Sequence, residues 1–463
     1  MFYKNELLVQ TPSSRNLKTG TKRVENLFSA IVPLSYLSKL IGVGPFNCST
    51  GRPTIGSSIY SLCVFFLVLC WYFYGIYWNQ KYNYPFISYT IIVPHIFKMT
   101  FSFTTVLVAL VLFPTVHRKK FYAILSRISA TDAVLLNTGD MANAMYKKMK
   151  IFLIIELLVV LPIYLILFIC DRMVWTGEFG NFHHLVEYCV HVIGTVMDVQ
   201  FFDFAVLLYN RFSLLNEQIR KLYGVATDEI EWTLLPIPNP KASVNNVIPH
   251  SAPLHHTEHK DFIPRTIQAD FKDSPSKSKL FPDSDRHCGK IVKFQKVHSC
   301  LYETAIHVND CYGIPILLEL TFIFIALIQS LYNALIVTLD FENLHTYGDD
   351  IVAVIVFISW AIVRFLKMVC ITTACQMASD EANRTGVLVQ KLILSGVSGN
   401  ASLKDFSHQL LHHRLTFKAG GFFVLDSTLL HSVAGAVTTY LVILLQFQLV
   451  ATNRSADSNL QHC

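Results

Sequence analysis

Ser432, Gly435, Thr439, Ile443 and Gln446 recur at three- and four-residue intervals near the end of this chain, with Phe447 beside the last of them. They lie in a stretch from Leu429 to Val450 that contains no Asp, Glu, Lys or Arg. At helical spacing these residues form one stripe. Hydroxyls and an amide in such a setting offer hydrogen bonding rather than covalent chemistry. A glutamine facing hydrocarbon would leave its amide unpartnered at a cost of several kcal/mol, so the stripe must face protein or water. Two readings stay open from the helix alone. One is a helix-packing face, where small residues and hydroxyls are common; the other is the wall of a water-filled path.

Other reactive side chains are scattered. Glu156, Asp203, Glu319 and Arg364 stand in four different apolar segments. Intramembrane charges are costly and pair toward the bundle interior, so they read as interhelical contacts in the inner half. His183, His184, Glu187 and His191 share a helical face at the start of another segment, as a solvated entry turn or as a pocket wall. The tract His255-His256-Thr257-Glu258-His259 reads as solvated rather than metal-binding. Eleven cysteines include no C-x-x-C pair, and Cys170 and Cys189, which flank one short loop, read as two free thiols. No metal-ligand spacing, nucleophile elbow or phosphate loop lies on one predicted face, which argues against an enzyme, a metal site or a cofactor.

The elements that carry these residues are membrane spans. At 52% hydrophobic and 15% charged, with mean hydropathy +0.42, the chain is too apolar for a soluble globule, where about 25% charged is ordinary. Runs of about 20 apolar residues place spans near 56–78, 86–113, 151–170, 184–208, 312–338, 350–371 and 426–450. The predicted architecture is therefore an all-α membrane protein with seven transmembrane helices. No cleavable signal peptide is expected. Residues 1–55 form an N-terminal region with a short interfacial or re-entrant segment around Pro33, and 56–223 carry the first four spans. A Pro-, Ser- and His-rich disordered insert occupies 224–289. Residues 290–371 hold a helical extension and spans five and six, 372–425 polar anchor helices, and 451–463 a tail with the sequon Asn453-Arg454-Ser455, expected to go unused.

Charge sets the orientation. Lys4, Arg15, Lys18, Lys22, Arg23, Lys39 and Arg52 precede the first span, and Arg118, Lys119, Lys120, Arg127, Lys147, Lys148 and Lys150 fill the second loop. The first and third loops and the tail each hold one basic residue, and the fifth loop none. The N-terminus is expected in the cytosol and the C-terminus outside. The net charge of +6 thus reflects loops beside lipid and not a nucleic-acid partner. This layout is the reverse of a G-protein-coupled receptor, and Cys170-Asp171-Arg172 falls on the wrong side to serve as that family's arginine motif.

Thr439-Tyr440, five aliphatic residues, then Gln446-Phe447 resembles the C-terminal signature of insect gustatory receptors. Gly420-Gly421-Phe422-Phe423-Val424-Leu425-Asp426, followed by Gly435-Ala436-Val437-Thr438, is similar to the same family, leaning toward its bitter-type or broadly tuned members. The resemblance implies a tastant-gated nonselective cation channel at the plasma membrane of chemosensory neurons. Its pore would be formed by the seventh helix of each subunit of a homo- or heterotetramer. Closed symmetry would bring Thr439, Ile443 and Gln446 to a shared axis, with Gln446 and Phe447 as the constriction and Tyr440 bracing the helix against the fifth span. It also implies a tastant pocket in the outer half of the bundle. Candidates there are Tyr89, His95, Tyr164, Phe168, Tyr188, His191, Gln329, Tyr332, Asn333 and Trp360, suited to a small neutral or weakly basic organic molecule. The alternative class is a seven-span chemoreceptor that signals through cytosolic partners of the G-protein-coupled type.

Overall fold

The computed structural model describes residues 27–44, 55–78, 80–81, 89–136, 139–174, 182–223, 284–339, 350–394 and 401–460. The N-terminal basic stretch, the insert with its histidine tract, and the first, third and fifth loops lie largely or wholly outside these residues. So do the side chains of Tyr89, His183, His184 and the tail sequon. In chain order the helices are α1 (Leu27–Ala30), α2 (Val32–Leu40), α3 (Ile55–Trp78), α4 (Tyr89–Leu112), α5 (Arg118–Leu135) and α6 (Gly139–Val174). They continue with α7 (Phe182–Tyr223), α8 (Ser284–Leu339), α9 (Asp350–Leu394), α10 (Ala401–His412) and, after the hairpin β1 (Lys418–Ala419) and β2 (Phe423–Val424), α11 (Ser427–Leu460).

Seven of these helices, α3, α4, α6, α7, α8, α9 and α11, are long and apolar enough to cross a membrane. Their burial is unequal. In the most apolar stretch of α7, 72% is buried, and 61% in α8, against 11% in both α6 and α11. The residues explain the ranking. α7 carries Asp198, Gln200, Arg211 and Asn216, all buried, and these require partners inside the protein. α6 turns Ile154, Ile155, Leu158, Val159, Leu165 and Ile166 outward, the face that hydrocarbon tolerates.

With 56 residues, α8 rises about 84 Å, far more than a bilayer core of about 30 Å. Its surplus forms an anchor at one end of the bundle with α5, α10 and the ends of α7 and α9. α8 begins at Ser284, ahead of residue 290 where the sequence reading starts it, and α9 runs unbroken through the expected boundary at residue 371. The second loop is likewise ordered: α5 turns Phe121, Ile124, Leu125 and Ile128 into the core. Arg211 grips Asp132 with two bonds, 3.0 and 2.9 Å, and Tyr146 donates to the same carboxylate at 2.7 Å, which ties α5, α6 and α7 together. In the anchor, Asn216 donates to Glu381 Oε1 at 2.9 Å and accepts from Thr385 at 2.7 Å. His413 stacks on Tyr302 with ring centroids 4.4 Å apart, and burial pushes its imidazole below the ordinary range, Glu303 opposing and His412 reinforcing the shift.

The segment around Pro33 folds as the short α1 and α2, wedged into the bundle rather than spanning it. Gln200 of α7 donates to Ser38, and Tyr312 of α8 donates to Gln200 at 2.9 Å. Gly42 ends α2 with φ +85°, the left-handed stop that glycine supplies.

Gly420 and Gly421 make a two-residue turn that the sequence reading left within the anchor. Both have positive φ, +56° and +83°, and Phe422 N donates to Ala419 O at 3.0 Å. That is the geometry of a tight hairpin connection. A Cβ on Gly420 would lie 2.8 Å from the Leu317 side chain, so the hairpin seats on α8 only with glycine there. Lys418 N donates to Asn309 Oδ1 at 2.7 Å and fixes the seat.

Candidate ligand chamber and the outer stripe of α11

Trp360, Arg364 and Lys367 share one face of α9, and four other helices converge on it. α8 contributes Glu319 and Phe322, α7 His191, Gly194 and Thr195, α4 Ser102 and Val106, and α6 Tyr164. Together they enclose about 10 Å³, room for about one water. Tyr188 adjoins this chamber, its ring 6.3 Å from that of Trp360 and 4.2 Å edge-on from that of Phe168. Tyr164 meets Trp360 edge-on at 5.8 Å.

Several polar groups of the chamber are bonded to one another, while the Thr195 hydroxyl has no hydrogen-bond partner among the described residues. Lys98 meets Glu187 at 2.7 Å, and Ser102 meets His191 Nδ1 at 3.3 Å. Lys367 bridges Glu319, at 2.6 Å, and Asp198. Tyr188 donates to Asp171, and Arg364 Nη1 donates to Ser330 Oγ at 2.6 Å.

Of the residues expected at a pocket, Tyr164, His191 and Trp360 line this chamber, and Tyr188 and Phe168 back it. His95 sits half-buried one turn before Lys98. Gln329 and Asn333 are buried, and their carbonyl oxygens lack a hydrogen-bond partner among the described residues. Tyr332 turns the other way, donating to Gln448 of α11 at 3.3 Å. Arg364 corrects one expectation. Glu319 is answered by Lys367, while Glu156 and Asp203 face each other between α6 and α7. Arg364 belongs instead with the aromatic residues of the chamber. Lys98, Asp198 and Lys367 were missed, although an ionisable residue in an apolar segment was signal enough to find them.

α11 shows the opposite pattern. Val437, Leu441, Leu444 and Gln448 turn toward α8, where Tyr332 and Ile336 meet them. Half a turn away, Ser432, Gly435, Thr439, Ile443 and Gln446 are all exposed, and Phe447 beside them is 65% exposed. Ser432 and Thr439 satisfy their hydroxyls on their own helix, through Thr428 O and Gly435 O, each at 2.9 Å. Tyr440 flanks the stripe and packs edge-on against Phe324 of α8, centroids 5.9 Å apart.

The model of the 7tm chemosensory receptor family matches residues 31–451, from the wedge at α2 through the whole apolar stretch of α11. The chain belongs to this family. Its relatives are insect gustatory receptors. It is 27% identical to gustatory receptor 2a of Drosophila melanogaster over 37% of this chain and 44% of that one, so the match spans under half of that relative's length. Gustatory receptor 28a of the same fly is 21% identical over 94% of this chain and 95% of its own. Among solved structures, the insect olfactory receptor OR5 from Machilis hrabei shares the fold, with TM-score 0.53 at 12% identity, covering 90% of this receptor and 97% of that chain. Membership places the chain among receptors and not enzymes, on a seven-span helical frame that makes it a multi-pass membrane protein.

Proposed function

We propose that this receptor is a tastant-gated, nonselective cation channel of the plasma membrane of chemosensory neurons, with four copies lining a central pore with α11. The observation that carries the reading is the two-sidedness of α11. One face holds to its own bundle through Val437, Leu441 and Gln448, and the face half a turn away leaves Thr439, Ile443 and Gln446 exposed among the described residues. A polar edge on an apolar helix needs protein or water beside it. Rotational symmetry supplies both, since copies of α11 around an axis enclose a hydrated path with Gln446 and Phe447 at its narrowest point. The stripe bears no charge, so the path would discriminate weakly among small cations. Basic residues before α3 and around α5 favour a cytosolic N-terminus, an orientation in which the chamber would receive tastants from outside once its walls part.

Thiol modification of Gln446→Cys during ligand-evoked current tests the reading. Current should fall when a charged methanethiosulfonate reagent reaches position 446 and stay unchanged for the same reagent at Leu445→Cys. Ligand responses that require added G proteins and ignore modification at position 446 would replace the channel with a coupled receptor.

A further inference from the structure

Three cations stand in and around the chamber, and two are answered by carboxylates: Lys98 by Glu187, Lys367 by Glu319 and Asp198. Arg364 is not. It is 6% exposed, and among the described residues no carboxylate lies within ion-pair distance of it. Its one hydrogen bond there is to Ser330 Oγ at 2.6 Å. Its guanidinium lies 4.7 Å from the Trp360 ring centroid and 5.9 Å from that of Phe322. A guanidinium has five N–H donors, and those that Ser330 does not take have no other partner among the described residues. The side chain lines the cavity, so the missing partner is one that enters it.

The surroundings narrow that partner's charge. Asp171, Glu187, Asp198 and Glu319 already stand in and around the chamber, so a ligand carboxylate would add a fifth acidic group beside them. A ligand ammonium would seek the faces of Trp360 and Phe322, which the guanidinium occupies, and would meet its charge at contact distance. An uncharged acceptor oxygen avoids both penalties. It satisfies the free donors, while Tyr164, Tyr188, Phe322 and Trp360 suit an apolar or aromatic body.

We propose that Arg364 reads the ligand, and that the ligand is a neutral, apolar-bodied organic molecule presenting a carbonyl-type oxygen to the guanidinium. This rests on the chamber being the tastant site. At about 10 Å³ the chamber is closed, and such a molecule enters only as its aromatic walls part.

Four compounds on one skeleton make the test: benzylacetone (a ketone), phenylbutyrate, phenylbutylamine and butylbenzene. Binding is read on the purified full-length receptor in lipid nanodiscs by the ligand-induced shift in thermal unfolding. Benzylacetone should bind at least about tenfold more tightly than the other three, because a donor left unpaired by the hydrocarbon penalises it. Arg364→Met should erase that preference, weakening benzylacetone and, with no donor left to strand, tightening butylbenzene, and Arg364→Lys, which keeps charge but loses the fork, should restore part of it. Preference for the acid or the amine, equal binding of ketone and hydrocarbon, or no binding of the ketone overturns the proposal. Should Arg364→Met fail to fold, Arg364→Lys and Ser330→Ala, read on the same four compounds, carry the test. Trp360→Ala separates the two claims. Ketone binding that survives it unchanged removes the site from the chamber, whereas general weakening by Trp360→Ala with no selective effect at Arg364 removes only the ligand class.

Discussion

Gln446 and Gln448 are two residues apart on one helix and live in different environments. Gln448 is 3% exposed and takes a hydrogen bond from Tyr332, while Gln446 is exposed and makes no side-chain hydrogen bond among the described residues. The same contrast separates larger regions. In the anchor, charged and amide side chains are matched from neighbouring helices, as in the Asp132–Arg211 pair, and in the chamber Lys98 and Lys367 are matched likewise. On the outer face of α11, hydroxyls close onto their own backbone and the amide is left over. A polar group matched within the chain contributes to folding; one left outward in an apolar helix awaits a second copy or water. Substitutions in the first region should therefore be read in the amount of folded receptor, and those in the second in assembly and conduction.

The largest effect is expected where a buried charge loses its counterion. Lys367→Met leaves Asp198 and Glu319 facing each other and should cost about 3–5 kcal/mol, seen as loss of monodisperse receptor in fluorescence-detected chromatography. Full yield from this variant would break the comparison at its strongest point. Next, Gly420→Ala forces a side chain into positive φ and against Leu317, and should cost at least about 1–2 kcal/mol, measured as a lower unfolding midpoint in the same assay. The paired glutamines sharpen the contrast further. Gln448→Leu removes the acceptor that Gln448 offers the buried Tyr332 hydroxyl and should cost about 0.5–1.5 kcal/mol, whereas Gln446→Leu should stay within about 0.5 kcal/mol while altering the evoked current. Tyr440→Ala, which removes one ring contact with Phe324, should cost about 0.5–1.5 kcal/mol, more than Gln446→Leu.

Much of this was legible beforehand, for identifiable reasons. Long uncharged runs fix the spans because the bilayer leaves the backbone no alternative, and helical spacing fixes which residues of α11 share an edge. Tyr164, His191 and Trp360 could be nominated as aromatic and imidazole groups near one end of their spans. Their meeting depends on helix rotation, which no local pattern encodes, and the same gap sent Tyr332 toward α11 and Arg364 into the chamber. α5 was hidden because its charged outer face masked Phe121, Ile124, Leu125 and Ile128, an apolar set at helical spacing. The Gly420-Gly421 turn carried a hairpin signal in plain view, and flanking strands of two residues each are too short to announce themselves by alternation.

Oxidative cross-linking in native membranes puts the account's main claim to its most direct trial. With the native cysteines replaced, Gln446→Cys should yield disulfide-linked oligomers of this receptor, because copies of α11 bring that edge together, while Leu445→Cys should remain monomeric. Monomers at position 446, or equal cross-linking at both positions, would contradict the shared axis on which the channel reading stands.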